Sequence, residues 1–268
     1  MDIKQLNEMS YPDFVGYINQ WNVLPGSFVT LSKWATFSRM NETSRILQFA
    51  CTTGFQSREL AVLTGCSGKA FDLSPHAVEM AVYNLKNYAP NAQIDYFVAD
   101  GTKLQLDEKF SHVIIGAGYQ FFNNPQEAIK KTVEFIEDGG YLLASPFYIK
   151  EPIPNSLIKE FNGVFGINPT TAGYKDVMSM FNKLEIIYED HNDLSQETED
   201  ELQYYCDCTI NRACQIRNIS DPDIRQAMFD RLYKIKEMSN KLRPYQSYAT
   251  LVLRYRRSVY PNRYVELF

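Results

Sequence analysis

Short, continuous apolar runs alternate with helical patterns between residues 45 and 148, and this alternation constrains the fold more than any other feature of the chain. The runs are too continuous to be half-exposed strands, which favours a parallel sheet buried on both faces. They are RILQFAC (45–51), KAFDL (69–73), IDYFVA (94–99), HVIIGA (112–117) and YLLASPFYI (141–149). Strands that alternate with helices across short connections predict a doubly wound α/β fold.

The segments between these runs begin with helix-start signals. Ser74 is a candidate N-cap, because Pro75 follows it at the first helical position. Asn124 followed by Pro125 gives the same kind of signal, and Glu127 adds the acidic residue of a capping box. The two glycines at 139–140 are expected to end that helix.

Two regions fall outside this rhythm. Residues 1–44 predict two aromatic-rich helices, 3–20 and 28–40. After a further helix near 172–183, the runs LEIIYED (184–190) and ATLVLRYRR (249–257) predict the last two strands. We therefore divide the chain into an N-terminal helical lid (1–44), a cofactor-binding core (45–194), a helical insert (195–247) and the last strand with a C-terminal tail (248–268).

Composition narrows the class of partner. A net charge of −5 and a pI of 5.4 give no basic surface for a phosphate backbone, so we expect a small-molecule partner and no nucleic acid. The start of the chain lacks a signal peptide, and no stretch approaches the roughly 18 apolar residues of a membrane span. Five scattered cysteines, an odd number, are typical of reduced thiols. We therefore expect a soluble, cytoplasmic protein.

Metal binding is not expected, because Cys206 and Cys208 are two residues apart on a predicted helix and have no matching pair. The aromatic fraction of 14% is the one unusual number. It fits a bulky core or a pocket walled by rings, and composition alone favours the core.

Chemistry-bearing residues follow the ends of the first three runs. Small residues at 50–54 would let a ligand lie against the backbone, whereas the single glycine, Gly54, disfavours the pyrophosphate of NAD or FAD. Asp72 ends the second run, where a carboxylate can accept both hydroxyls of a ribose and Leu73 can cover an adenine face. Asp100 and Gly101 end the third run, and an adenine amino group would suit that carboxylate. A loop acid or helix cap is the alternative for Asp100.

In these segments the chain resembles the class I S-adenosylmethionine-dependent methyltransferases. The resemblance is carried in family order by ILQFACTTGF, KAFDLSP, FVADGTKL, FSHVIIGAGYQFFNNP and DGGYLLASPF. It implies a mostly parallel, seven-stranded Rossmann-like sheet with a reversed final hairpin, and S-adenosyl-L-methionine as cofactor. It further implies that Gly54 and its neighbours hold the methionine part, Asp72 the ribose, and Asp100 with Gly101 the adenine. The candidate cofactor-binding set is Gln48, Ala50, Gly54, Asp72, Leu73, Asp100, Gly101 and Gly116.

The chain departs from the family pattern at three positions. Gln48 replaces an acidic residue and Ala50 replaces the first glycine of the loop. When the chain is aligned with the family on Phe121-Phe122-Asn123-Asn124-Pro125, Gln120 takes the position of a histidine that many small-molecule members have. Glutamine cannot act as a base at neutral pH. Methyl transfer would then depend mainly on positioning of an in-line displacement, which can supply on the order of 7–11 kcal/mol of the barrier.

The candidate catalytic residues are Tyr119, Gln120 and His191. His191 is the best candidate for a base, with a solvated histidine in an acidic run as the alternative, whereas His112 is expected in the core. Rings expected at the substrate pocket belong to Tyr11, Tyr17, Trp21, Trp34 and Tyr148. The two tryptophans could instead anchor the N-terminal segment to the helices of the sheet.

The sequence therefore predicts methyl transfer from S-adenosylmethionine to an O, N or C atom of a small, aromatic or apolar metabolite, by a monomer or homodimer. The alternative is a catalytically weak or inactive partner subunit that binds the same cofactor. A nicotinamide oxidoreductase is disfavoured by the single glycine in the first loop.

Overall fold

The computed structural model describes residues 1–122 and 124–258. Its centre is one eight-stranded sheet in the order β3-β2-β1-β4-β5-β8-β6, with β7 paired to β8. The strands are β1 (Arg45–Gln48), β2 (Ser67–Asp72), β3 (Ile94–Val98), β4 (Phe110–Gly116), β5 (Ile136–Ala144), β6 (Phe147–Ile149), β7 (Glu185–Asp193) and β8 (Gln246–Arg254). Strands β1 to β5 are parallel, and β8 runs antiparallel to β5, β6 and β7. The predicted doubly wound, mostly parallel sheet with a reversed final hairpin is confirmed.

One predicted strand is two in the structure. The run 141–149 is interrupted at Ser145 and Pro146, between β5 and β6. Proline has no N–H to donate to a ladder, so continuous pairing stops there. Strand β6 then resumes pairing with β8, Phe147 opposite Tyr248, and becomes the eighth strand.

Ten α-helices surround the sheet in the described part of the chain. They are α1 (Ile3–Glu8), α2 (Tyr11–Tyr17), α3 (Ser27–Phe37), α4 (Phe55–Thr64), α5 (Pro75–Tyr88), α6 (Pro125–Val133), α7 (Asn155–Phe165), α8 (Tyr174–Ser179), α9 (Glu199–Arg217) and α10 (Pro222–Leu242). The predicted N-caps at Ser74 and Asn124 are observed, and α9 and α10 begin in the same way. Side chains of Ser74, Asn124, Thr198 and Asp221 accept hydrogen bonds from backbone N–H groups of α5, α6, α9 and α10.

Two helix boundaries correct the expectations. The expected helix 3–20 breaks after Glu8, because Ser10 caps a new helix, α2, and Pro12 lies in its first turn. The glycines at 139–140 do not end α6, which stops at Val133. They lie inside β5, where the register against β4 shifts between Phe110 and His112 and where Gly139 has φ +84°. The irregular pairing is what requires glycine there.

Apolar side chains form three clusters. Two cover the faces of the sheet: one includes Phe71 and Leu251, the other Trp34 and Ile114. The third lies outside the sheet and is shared by α1, α2, α7, α9 and α10, with Phe14 and Met228 fully buried in it. The N-terminal segment is therefore divided, because α1 and α2 join the helical insert while α3 packs on the sheet. We call the third cluster and its five helices the cap.

The predicted domain boundaries stay predictions. Residues 259–268 of the expected C-terminal tail, and Asn123 of the aligned FFNNP segment, lie outside the described residues. Within residues 1–122 and 124–258, no helix is both long and apolar enough to cross a bilayer, and no His, Cys, Asp and Glu side chains group as metal ligands would.

Candidate active site

The loop after β1 reaches the carboxyl edge of the sheet in a left-handed backbone conformation. Ala50 has φ +49°, Thr52 has φ +47° and Gly54 has φ +80°. For residues other than glycine this conformation costs about 1–2 kcal/mol each. The loop therefore keeps the backbone path of a glycine-rich loop although two of these positions carry a Cβ, and such strain is typical of ligand-binding segments.

Gly54 is required by its neighbours as well as by its backbone angle. A Cβ at this position would lie 2.7 Å from the hydroxyl oxygen of Tyr96. That hydroxyl donates to the carbonyl of Gly54 at 3.0 Å and lies 2.9 Å from the Ser57 hydroxyl. Strand β3 thus fixes the end of the loop and the start of α4 together.

Gln48 performs part of the role expected of an acidic residue. Its Oε1 accepts from the backbone N–H of Ser57 at 3.0 Å, which satisfies a first-turn donor of α4. Its Nε2 is buried and has no hydrogen-bond partner among the described residues. The Oε1 of Gln56 is likewise buried and without a partner among them. A Cβ on Gly116 would lie 3.0 Å from that Gln56 oxygen. Gln56 was not predicted from the sequence, since a glutamine in the first turn of a helix carries no motif.

Asp72 lies at the end of β2, six per cent exposed. One carboxylate oxygen accepts from the N–H of Thr52 and the other from the N–H of Ser74, each at 2.9 Å. Burial raises the pKa of Asp72, and these two hydrogen bonds oppose the shift. A carboxylate has about four acceptor sites, so two remain for the hydroxyls of a diol. Asp72 therefore ties the β1 loop to the start of α5 and keeps acceptor capacity toward the site.

The end of β3 combines a loop acid with exposed apolar groups. Asp100 accepts from the N–H and the hydroxyl of Thr102 at 2.9 and 2.7 Å, and these contacts lower its pKa. A Cβ at Gly101 would be tightly packed, because it would lie about 3.2 Å from the rings of Phe71 and Phe122. Leu73 and Val98, at the ends of β2 and β3, are 71% and 51% exposed. The two strand ends thus present uncovered apolar side chains of the kind that a flat base could cover; Val98 was missed because nothing distinguishes it from a core valine.

Residues 46–140, which span β1 to the bulge in β5, match the family model of the methyltransferase domain. This part of the chain is therefore similar to the methyltransferase domain, and the fold is the class I fold. The predicted resemblance is confirmed, and the matched residues contain every candidate cofactor-binding residue from Gln48 to Gly116.

Relatives and solved structures agree with this. The malonyl-[acyl-carrier protein] O-methyltransferase of Bacillus cereus is 26% identical over 136 residues, which are 49% of this chain and 47% of that protein. The chain thus aligns with less than half the length of that curated relative. The crystal structure of the MccD protein superposes with a TM-score of 0.70, is 27% identical, and covers 87% of this chain and 99% of its own. A methyltransferase of Thiobacillus denitrificans, crystallised with S-adenosylhomocysteine, has a TM-score of 0.67 at 16% identity, covering 91% of this chain and 99% of its own.

Tyr11 and Tyr17 of the N-terminal segment lie in the cap. The Tyr11 ring is 4.7 Å from that of Phe165 on α7 and stacks at 6.0 Å on that of Phe121, which follows β4. Tyr11 therefore lies where the cap faces the loop after β4, and there we expect a residue that contacts the substrate. The Tyr17 ring meets His76 at the start of α5 at 5.6 Å.

The two tryptophans anchor the N-terminal segment to the sheet and its helices. Trp34 is fully buried against the sheet in the cluster that contains Ile114, so it is a core residue and not a pocket residue. Trp21 lies over the helices beside the sheet: its ring is 4.9 Å from that of Tyr88 and 4.2 Å from the guanidinium of Arg58. The Trp21 ring thus packs on α4 and α5, while its carbonyl lies 3.5 Å from the Thr53 hydroxyl in the loop after β1.

The two residues after β4 differ in environment. Tyr119 is buried with its ring 6.2 Å from that of Phe181, its hydroxyl has no partner among the described residues, and burial raises its pKa. Gln120 is half-buried, and its amide donates to the carbonyl of Ala117 at 3.4 Å.

His191 and Tyr148, predicted for different roles, are in contact. The Tyr148 hydroxyl lies 3.0 Å from Nδ1 of His191. Nε2 of the same imidazole lies 3.0 Å from a carboxylate oxygen of Glu189. His112 is buried in β4, as predicted, where burial lowers its pKa to about 4.

Proposed function

We propose that this chain is an S-adenosylmethionine-dependent methyltransferase acting on a small molecule. The observation that carries the proposal is the meeting of three strand ends at one edge of the sheet: the left-handed loop that ends at Gly54, the buried carboxylate of Asp72, and Asp100 beside Gly101. Ligands of open α/β sheets bind at this edge.

The cofactor fits the residues that are present. Gln48 and Gln56 offer a buried donor and a buried acceptor without partners, suited to the charged amino-acid end of the ligand. Asp72 has acceptor sites left for the ribose, and Leu73 with Val98 would cover the base. The cofactor supplies an activated methyl group, and the chain would hold it and exclude water.

The relatives support the class of reaction. The curated relatives are O-methyltransferases, and two of the structural neighbours were crystallised with S-adenosylhomocysteine. For this chain we propose a small aromatic or apolar acceptor, because Tyr11 and Phe121 bring rings to the boundary between the cap and the β4 loop.

Titration calorimetry with S-adenosylmethionine, S-adenosylhomocysteine and NAD tests the proposal. We expect the first two to bind and NAD not to bind. Asp72→Ala should weaken binding at least tenfold, since a hydrogen bond to a charged group contributes roughly 1.5–3 kcal/mol. Asp95→Ala, a loss of an exposed carboxylate on neighbouring β3, is the matched control. Unchanged affinity in Asp72→Ala, with a cooperative melt, would exclude the ribose role.

The departures at Gln48, Ala50 and Gln120 favour a second candidate, a partner subunit that binds the cofactor without turnover. Binding without S-adenosylhomocysteine formation across an acceptor library would support that candidate over the first.

A further inference from the structure

Four polar side chains from three elements meet beside β6. Tyr148 comes from β6, Tyr174 from α8, and Glu189 and His191 from one face of β7. The Tyr148 hydroxyl is 3.0 Å from Nδ1 of His191, and Nε2 of His191 is 3.0 Å from Oε1 of Glu189. The Tyr174 hydroxyl donates to that same Glu189 oxygen. The hydrogen bonds thus run in a line from Tyr148 through His191 to Glu189.

The carboxylate sets the direction of this line. An imidazole nitrogen beside a carboxylate carries the proton, so Nε2–H of His191 donates to Glu189. Nδ1 is then unprotonated and accepts the hydrogen bond that Tyr148 donates. A phenol in this state can pass its proton to the imidazole when it takes one from elsewhere.

Burial changes along the line. Tyr148 is 8% exposed and packs in the apolar cluster that contains Phe71 and Leu251 on one face of the sheet, whereas the His191 side chain is 47% exposed. Burial, with the nearby charges of Asp193 and Glu189, raises the pKa of Tyr148, although the neighbouring Ser247 hydroxyl opposes this. The phenol therefore stays protonated at neutral pH and needs a group that removes its proton toward solvent.

Other charged groups near the line are already paired. Asp193 accepts from Lys150 at 2.9 Å and from the Ser247 hydroxyl at 2.6 Å. On the opposite face of β7, Asp190 pairs with Lys33 of α3. Glu189 is thus the carboxylate that faces the imidazole directly.

We propose that Tyr148, His191 and Glu189 form a proton relay for an aromatic hydroxyl acceptor. The proposal rests on the proposed methyltransferase function and specifies its substrate class. Tyr148 is the catalytic residue, whereas His191 and Glu189 act through it as positioning residues. The rings of Tyr148 and Tyr174, 5.3 Å apart and edge to face, form an aromatic wall beside the hydroxyl.

Proton transfer along the relay accompanies the transfer of the methyl group. The Tyr148 oxygen takes the proton of the acceptor hydroxyl while its own proton passes to Nδ1 of His191, and Glu189 stabilises the imidazolium. The acceptor oxygen forms a bond to the methyl carbon as the carbon–sulfur bond breaks, and that electron pair goes to the sulfonium sulfur. The half-exposed imidazole then releases its proton to water.

Nuclear magnetic resonance tests the relay without turnover. The chain has three histidines, so imidazole ¹⁵N signals can be assigned by single substitutions. We expect an unprotonated Nδ1 in His191 at neutral pH, and a shift of that signal alone in Tyr148→Phe. A protonated Nδ1 would overturn the proposal.

Kinetics test the role of Tyr148, with catechol and 4-nitrophenol as acceptor probes and S-adenosylhomocysteine as the measured product. We expect Tyr148→Phe to lower kcat for catechol 10²–10⁴-fold with little change in KM, as general acid–base groups do. The loss should be smaller for 4-nitrophenol, which ionises more readily. His191→Gln should act like Tyr148→Phe and alter the pH profile. Tyr188→Phe is the matched control, because it removes the hydroxyl of another β7 tyrosine, whose ring stacks on that of Phe37.

The outcomes separate this proposal from the function on which it rests. If calorimetry shows no binding of S-adenosylmethionine, the proposed function fails. If the cofactor binds but no phenol is methylated, or if Tyr148→Phe keeps the parent rate with both probes, the relay is overturned and cofactor binding stands.

Discussion

The side-chain amides of Asn19 and Asn84 hydrogen-bond to each other twice, at 2.9 and 2.8 Å, and both residues are fully buried. The Asn84 amide also donates to the carbonyl of Thr53 at 3.0 Å. Asn19 follows α2, Asn84 lies on α5 and Thr53 belongs to the loop after β1. This pair therefore couples the N-terminal segment to the loop at the proposed cofactor site.

Breaking either half of the pair should destabilise the protein. Asn84→Ala leaves the buried Asn19 amide without its partner, and Asn19→Gly leaves the buried carbonyl oxygen of the Asn84 side chain without its donor, each at a cost of about 1–3 kcal/mol. Glycine is chosen at 19 because Asn19 has φ +51°. The double variant should lose less than the sum, with a coupling of about 0.5–3 kcal/mol in urea denaturation. Asn87→Ala, an exposed change on α5, is the control, and additive losses would contradict the coupling.

Asn84→Ala should also weaken S-adenosylmethionine binding, because Thr53 loses a hydrogen bond that holds the left-handed loop. Calorimetry should show the effect in Asn84→Ala and not in Asn87→Ala. Equal affinities would mean that the loop holds its conformation without the N-terminal segment.

Gln120→His should not raise the rate of methyl transfer at neutral pH. Gln120 is turned toward the carbonyl of Ala117, and the proposed proton relay begins at Tyr148 instead. Steady-state rates at several pH values check this, with Gln120→Asn as a control for changed packing. A substantial gain limited to the histidine variant would show that the acceptor's proton leaves at position 120.

His112 should make the protein less stable in mild acid. Burial lowers its pKa from 6.5 to about 4, while its Nε2 lies 3.2 Å from the carbonyl of Ser38. Above about pH 6.5 neither the folded nor the unfolded form binds this proton. Between about pH 6.5 and 4 the unfolded chain binds it and the folded protein does not, so stability falls as pH falls, by up to about 1.4 kcal/mol per pH unit.

Urea denaturation of parent and His112→Gln at pH 7, 6 and 5 measures this contribution. The difference between the two free energies of unfolding should change with pH in the sense that the parent loses more in acid. His76→Gln, a change on the exposed start of α5, should follow the parent. A difference that does not vary with pH would refute the assignment.

Local signals were enough to predict the sheet and the strand-end residues. Ser74 and Asn124 cap helices where the sequence places them, because a cap depends on residues within one turn. The mostly parallel sheet with its reversed final hairpin followed from the resemblance. The break at Pro12, within the expected first helix, was readable in the sequence and was missed.

Contacts between distant residues could not be predicted in this way. Tyr148 and His191 are 43 residues apart, and Asn19 and Asn84 are 65 apart, so nothing in their spacing shows that they meet. Trp34 was a candidate for the substrate pocket because its side chain is aromatic, but the structure buries it in the core. Helix α7 was not predicted, although Gly166 follows it with φ +72°, because Pro154 at its N-cap supplies no side-chain acceptor.

Arginines of the insert hold the N-terminal helices α1 and α2 against α9 and α10 within the cap. Arg231 of α10 donates to the carbonyls of Leu6 and Met9, the latter at 2.6 Å, and its guanidinium lies 4.4 Å from the centre of the Phe14 ring. Arg217 of α9 makes a similar pair of contacts with Tyr17, donating to its carbonyl at 2.5 Å and lying 4.1 Å from its ring centre. These carbonyls end α1 and α2, where helices leave acceptors unsatisfied.

Arg231→Met should therefore loosen the N-terminal helices while keeping an apolar stem in the cap. We expect a loss of about 1–3 kcal/mol, because two carbonyls lose charged donors, and faster proteolysis within residues 1–20. Arg225→Met is the matched control, because Arg225 bonds to Asp207 and Asn211 on α9 and not to the N-terminal segment. If α1 and α2 act as a lid over the acceptor, turnover should fall while calorimetric affinity for S-adenosylmethionine stays at the parent value, since Gly54, Asp72 and Asp100 are untouched. Faster cleavage with parent turnover would exclude the lid, and unchanged cleavage would exclude the clamp.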